Sequence, residues 1–124
     1  MIGGKIKLGK LRIAIPTKGD KGIEDVVSDV FGRSETFTII DISDGSIHNV
    51  KVVKNPAASY KHGAGPIVTK MLADMEVTAV AAREFGLGAS TLLDQNNIKK
   101  FEVKADIPIR KAIKTVLKEL EIHA

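Results

Sequence analysis

Apolar residues in this chain fall into short β-branched runs and longer helical stripes, and together these predict its elements. Leu11–Pro16, LRIAIP, is a β-branched run stopped by proline, the composition of a buried strand. Thr36–Ile42, TFTIIDI, and Ser46–Asn55, SIHNVKVVKN, flank SDGS. Asp-Gly between two such runs predicts an antiparallel hairpin, because glycine tolerates positive φ. From Pro66 to Met75, apolar residues at 67, 68, 71, 72 and 75 share one helical face, and Pro66 suits a first turn. Val77–Ala82, VTAVAA, reads as a small buried strand. Gly86–Asn97 reads as loop into helix near Ala89, with Asn96-Asn97 replacing the usual glycine stop. Ile98–Val103, IKKFEV, alternates as a strand, and Ile109, Ala112, Ile113, Val116, Leu117 and Leu120 form the clearest amphipathic stripe. Thr17–Val30 is loop-like, with room for a helical turn in IEDVVSDVF.

The order β, β-hairpin, α, β, α, β, α predicts an α/β fold. Helix-linked parallel strands need right-handed crossovers, and one strand of the hairpin must run antiparallel, which gives a mixed five-stranded sheet with one antiparallel strand, flanked by about three helices. A length of 124 residues fits a single domain, assigned to 11–124, behind a basic N-terminal tail over 1–10 whose order is left open. Aromatics are 4% and tryptophan is absent, so the core must be aliphatic. No apolar run approaches the ~20 residues of a bilayer span and no signal-peptide pattern opens the chain, which places the protein in the cytoplasm and off the membrane.

Charge and cysteine then narrow the function. The net charge is +4, yet Lys5, Lys7, Lys10 and Arg12 account for all of it, and the remaining basic residues balance the 15 acidic ones. That distribution favours a solubilising tail over nucleic-acid binding. With no cysteine, disulfides, thiolate catalysis and cysteine-ligated zinc or iron–sulfur sites supplied by this chain alone are excluded. A metal-containing ligand would be held by His, Asp, Glu, backbone groups or shape.

Ligands of open α/β sheets settle at the carboxyl ends of parallel strands. Three loops are expected there: PTKGDKG after the first strand, SYKHGAGP before Pro66, and REFGLGAS before the second helix. The last two place Gly63, Gly65, Gly86 and Gly88 near helix N-termini, where free amides and the helix dipole suit an anion. Taken alone these glycines read as tight turns, and neither loop matches a P-loop or a dinucleotide fingerprint. His62 is one of three histidines. Alone it reads as a surface histidine bonded to a nearby carbonyl, although an imidazole can also ligate a metal or bind an anion. His48 lies in a strand and His123 at the C-terminus, and neither is spaced to join a ligand pair. Arg33 could fork onto an anion or pair with Glu35 or Asp29. Asp20, Glu24, Asp25 and Asp29 lack EF-hand spacing and read as solvated acids. Ser59, Ser90 and Thr91 show no paired base, so an enzyme is not expected.

Read together, RIAIPT, DVFGRSETFTIIDISDGSI and NPAASYKHGAGPIVTKML resemble the dinitrogenase iron–molybdenum cofactor biosynthesis family over roughly residues 11–103. The resemblance implies a ribonuclease-H-like fold and, for members in nitrogenase assembly, a protein that binds the iron–molybdenum cofactor or its iron–sulfur precursor and passes it on. It aligns the family's Phe-Gly-Arg with Phe31, Gly32 and Arg33, and its Asn-Pro and His-Gly-x-Gly with Asn55, Pro56, His62, Gly63 and Gly65. It also turns the reading of His62 toward ligand contact. Val30 stands where the family usually has histidine; Arg83 and Glu84 replace small residues, and Leu87 a proline. The helix from Ile107 onward extends beyond the shortest members. A nuclease is rejected, because LRIAIP carries none of the acids that a two-metal site needs.

The resulting expectation is a small non-enzymatic carrier for an anionic metal cluster, with His62 as ligand or hydrogen-bond donor and metal contact. Amides around Gly63–Gly65 and Gly86–Gly88 would face the cluster, with Arg33 as the charged partner. The alternatives are a module for another small anion, such as a phosphate metabolite, and a regulatory or scaffold protein acting through a protein partner.

Overall fold

The computed structural model describes residues 9–123, so the tail expected over 1–10 lies outside it up to Leu8. The strands are β1 (Lys10–Thr17), β2 (Thr36–Ser43), β3 (Ser46–Lys54), β4 (Ala79–Ala82) and β5 (Lys99–Glu102). The helices are α1 (Ala64–Asp74), α2 (Leu87–Gln95) and α3 (Ile109–His123), and a single 3-10 turn spans Gly22–Glu24. The sheet order is β3-β2-β1-β4-β5. β2 runs antiparallel to β1 and β3, while β1, β4 and β5 are mutually parallel, so β2 is the one reversed strand. At the hairpin tip Ser43 faces Ser46, and Asp44 and Gly45 take φ of 52° and 84°, the paired positive angles of a twisted two-residue turn.

Alternation along the strands sends side chains to two cores. Ala14, Phe37, Ile39, Val80 and Ala82 meet α1 and α2 on one face. Ile13, Ile15, Ile40, Ile42, Ala79 and Ala81 meet α3 on the other, where Ile109, Ala112, Ile113 and Val116 are buried as the stripe predicts. Each large aliphatic side chain so buried contributes about 1.5–3 kcal/mol.

Two helix ends explain why the strands after them start later than their apolar runs. After α1, the Glu76 amide bonds the Ala73 carbonyl at 2.9 Å and the Val77 amide bonds Leu72 at 3.0 Å. After α2, Asn97 and Ile98 repeat the pattern onto Asp94 and Leu93. Val77 and Ile98 therefore close Schellman motifs before β4 and β5 begin. Glu76 and Asn97 sit at φ of 60° and 58°. Asparagine adopts this left-handed region at less cost than glutamate. Glu76→Gly is thus expected to raise stability by about 0.5–1 kcal/mol and Asn97→Gly to change it little, both read by thermal unfolding.

Candidate functional site

Because β1, β3, β4 and β5 all end at one edge of the sheet, the connections 18–35, 55–63, 83–86 and 103–108 gather there. Within PTKGDKG, Lys18, Gly19 and Asp20 line a cavity of about 440 Å³ with Glu35, Asn55 and Ala58 at this edge, whereas Gly22 turns to the α3 face, where a Cβ would lie 3.6 Å from Val50 and Val52. The later part of that connection, around Gly32, is what reaches α1. A Cβ built on Gly32 would stand 3.4 Å from the Ala64 Cβ and 3.5 Å from the Gly65 nitrogen. One built on Gly65 would stand 3.4 Å from the Ala89 Cβ and 3.5 Å from the Ala89 nitrogen. The Phe-Gly-Arg turn, the first turn of α1 and the first turn of α2 are stacked in that order.

Both helix entrances are open. Gly63 precedes α1 at φ 76° and Gly86 precedes α2 at φ 77°, and neither helix has a side-chain cap. Ser90 makes the first hydrogen bond of α2, to the Gly86 carbonyl at 3.0 Å. First-turn amides have no intrahelical acceptor, which leaves Ala64, Gly65, Leu87, Gly88 and Ala89 as donors at one joint. Apart from the adjoining residues and the helix's own backbone, no described atom would lie within 4 Å of a Cβ on Gly63, Gly86 or Gly88. The entrance of α3 differs, since its Ile109 amide is taken by the Asp25 carbonyl at 3.1 Å.

His62 and Arg33 are both exposed on this edge. Among the described residues Arg33 forms no salt bridge, so the pairings with Glu35 and Asp29 do not occur. Lys18 is otherwise committed: it bonds Asp106, which raises its pKa, and lies 3.9 Å from Asp29. Asn55 organises the loops. Its buried side chain donates to the Gly32 and Ser34 carbonyls at 2.9 and 2.8 Å and accepts from the Ala57 amide at 2.9 Å.

Other candidates separate from this edge. Asp25 is not solvated: it is buried, and its carboxylate accepts from the amides of Gly19, Lys21 and Val26. Glu24 lies 3.7 Å from Arg110, on the α3 side. Among the described residues no three His, Cys, Asp or Glu side chains are grouped to hold a metal ion. Ser90 receives a hydrogen bond from Lys100 at 2.5 Å, and the same Lys100 Nζ lies 3.0 Å from Asp94. His48 lines a cavity of about 540 Å³ at the opposite end of the sheet. The arginine in that cavity is already charge-paired, since Arg12 bonds Asp41 at 2.7 Å and the Met75 carbonyl at 2.6 Å, so we place no anion site there. The side chain of His123 lies outside those described.

A family model described as dinitrogenase iron–molybdenum cofactor matches residues 9–119. The chain belongs to the dinitrogenase iron–molybdenum cofactor family. An uncharacterized protein of Methanocaldococcus jannaschii is 31% identical over 98 residues, 79% of this chain and 77% of its relative. A NifB-like protein from Thermotoga has a solved structure 33% identical, with a TM-score of 0.71 over 87% of this chain and 88% of that one. The orange protein of Desulfovibrio gigas, solved in its apo form, is 25% identical with a TM-score of 0.77, covering 88% of each chain.

As a member of the dinitrogenase iron–molybdenum cofactor family, the chain departs from the expected pattern at places now visible. Val30 is 41% exposed beside the Phe-Gly-Arg turn. Arg83 pairs with Glu84 at 2.6 Å and donates to the Asp29 carbonyl at 3.3 Å, with its side chain over the end of β5 beside Glu102 and Lys104. Leu87, in place of proline, is 92% exposed. Phe85 drew no notice in the sequence, yet it packs on Phe31 with ring centroids 5.3 Å apart.

Proposed function

We propose that this family member is a small cytoplasmic carrier, not an enzyme, that holds an anionic metal cluster at the joined entrances of α1 and α2. The observation that carries this reading is the stacking of two uncapped helix N-termini through Gly65 and Ala89, with open space beside Gly63, Gly86 and Gly88. Converging amides and dipoles favour negative charge there. His62 is the ligand or hydrogen-bond donor, and Arg33 adds an exposed positive charge. One imidazole and several N–H groups hold cargo that must also leave. The family supports iron–molybdenum cofactor or its iron–sulfur precursor as that cargo, and the strand order supports the ribonuclease-H-like description. Among the described residues no helix is long and apolar enough to cross a membrane.

The test is an anaerobic two-dimensional NMR titration of ¹⁵N-labelled protein with isolated iron–molybdenum cofactor, with its iron–sulfur precursor and, separately, with inorganic phosphate. A cluster is expected to shift or broaden Arg33, residues 62–65 and residues 86–89 saturably. His62→Ala should weaken binding about tenfold, the worth of one charge-assisted contact. Response to phosphate alone would transfer the site to a phosphate metabolite. Silence at these residues with every titrant would overturn the reading and leave a protein partner as the alternative.

A further inference from the structure

Three of the four phenylalanines in the chain form a line of edge-to-face contacts at the carboxyl edge. Phe37 of β2 is fully buried, and Phe31 meets it with centroids 5.4 Å apart and planes at 79°. Phe85 follows on Phe31 at 5.3 Å and 65°. Such contacts favour particular angles as well as distances. The three rings belong to the central sheet, to the turn that carries Arg33, and to the turn that ends at Gly86. Beside them, the Arg83 Nε bond to the Asp29 carbonyl at 3.3 Å joins the same two turns.

We infer that Phe85 is a positioning residue that sets the entrance of α2 against the Arg33 turn. The inference rests on the proposed anion site and adds a mechanical link outside it. Gly86, with φ 77° and ψ 155°, comes directly after Phe85, and no side chain caps the helix it opens. The ring and the Arg83 bond therefore restrain a turn whose glycines are otherwise free to reorient. Phe31 cannot serve as a test, because it is buried in the core beside Phe37. Phe85 is half-buried at the margin of that core, which makes its ring the one to replace.

The experiment compares Phe85→Leu, which keeps an apolar side chain, with Phe85→Tyr, which restores the ring; Phe85→Met replaces the first if it fails to fold. The ligand-free readout is amide hydrogen exchange at Ser90, the first hydrogen bond of α2. Phe85→Leu is expected to speed that exchange about three- to tenfold, the range one edge-to-face contact supports, and Phe85→Tyr to reverse it. Affinity for isolated iron–molybdenum cofactor or for inorganic phosphate should fall over the same range and return with the ring. Unchanged exchange at Ser90 in Phe85→Leu would overturn the inference. So would equal acceleration in the β2–β3 hairpin, which would make Phe85 a space-filler only. If wild-type protein binds neither probe, the anion site fails while the exchange result still decides the role of Phe85.

Discussion

Replacing Asn55 with alanine is expected to cost about 3 kcal/mol of stability and to abolish ligand response at the carboxyl edge. The side chain is 6% exposed and makes three hydrogen bonds, all to backbone: the Gly32 carbonyl, the Ser34 carbonyl and the Ala57 amide. Alanine leaves all three without that partner, and an unsatisfied buried group costs about 1–3 kcal/mol. Water reaching the less enclosed Gly32 carbonyl keeps the total near the lower end. Thermal unfolding followed by circular dichroism should show a midpoint lower by roughly 10 °C. Binding falls with it because Asn55 holds the turn that presents Arg33 to α1.

Asn55→Asp separates the hydrogen bonds from simple space filling. The aspartate keeps the acceptor for Ala57 but sets a carboxylate against two carbonyl oxygens, which disfavours the charged form. Its folded-state pKa should lie above the unfolded value of about 3.9. A folded state that binds the extra proton loses stability as pH rises, so the variant should be least impaired below about pH 4 and worsen through the carboxylate range. A loss that does not vary with pH, or an Asn55→Ala midpoint equal to wild type, would contradict this role.

The same residues show what could be read in advance. Strand pairing was legible because Asp44-Gly45 fits one kind of turn and because the aliphatic runs match buried strands. Helix α1 starts two residues before Pro66, since Gly63 opens it in a left-handed conformation without the Ser, Thr, Asp or Asn that usually marks such a start. Asn55 came forward through an Asn-Pro motif, but its bond to the amide two residues on is local, whereas its bonds to Gly32 and Ser34 arise only on folding. The glycines were the harder case. In a string of letters, Gly63 at φ 76° and Gly65, which lets two helices touch, look alike. Phe85 was invisible for the same reason: its partner Phe31 is distant along the chain and adjacent only in space.

Gly65→Ala should move stability and affinity in opposite directions, which makes it the sharpest test of the joint. Gly65 lies in the first turn of α1 and is not among the residues with positive φ, so alanine fits its backbone. The added methyl would sit 3.4 Å from the Ala89 Cβ, at the near edge of ordinary contact. Exchanging glycine for alanine in a helix gains about 0.5–1 kcal/mol, and the lower figure suits a first turn. The unfolding midpoint should therefore rise by a few degrees. The same methyl would stand 3.5 Å from the Ala89 nitrogen, close enough to shield that amide from a ligand. Losing one hydrogen bond to a charged ligand costs about 1.5–3 kcal/mol, a fall of roughly ten- to a hundredfold in affinity for the isolated cofactor. Unchanged affinity with raised stability would show that the Ala89 amide takes no part in binding. Lowered stability would show that α1 and α2 approach too closely for any side chain between them. A more stable protein that binds less tightly is the outcome expected of amides that the added methyl covers.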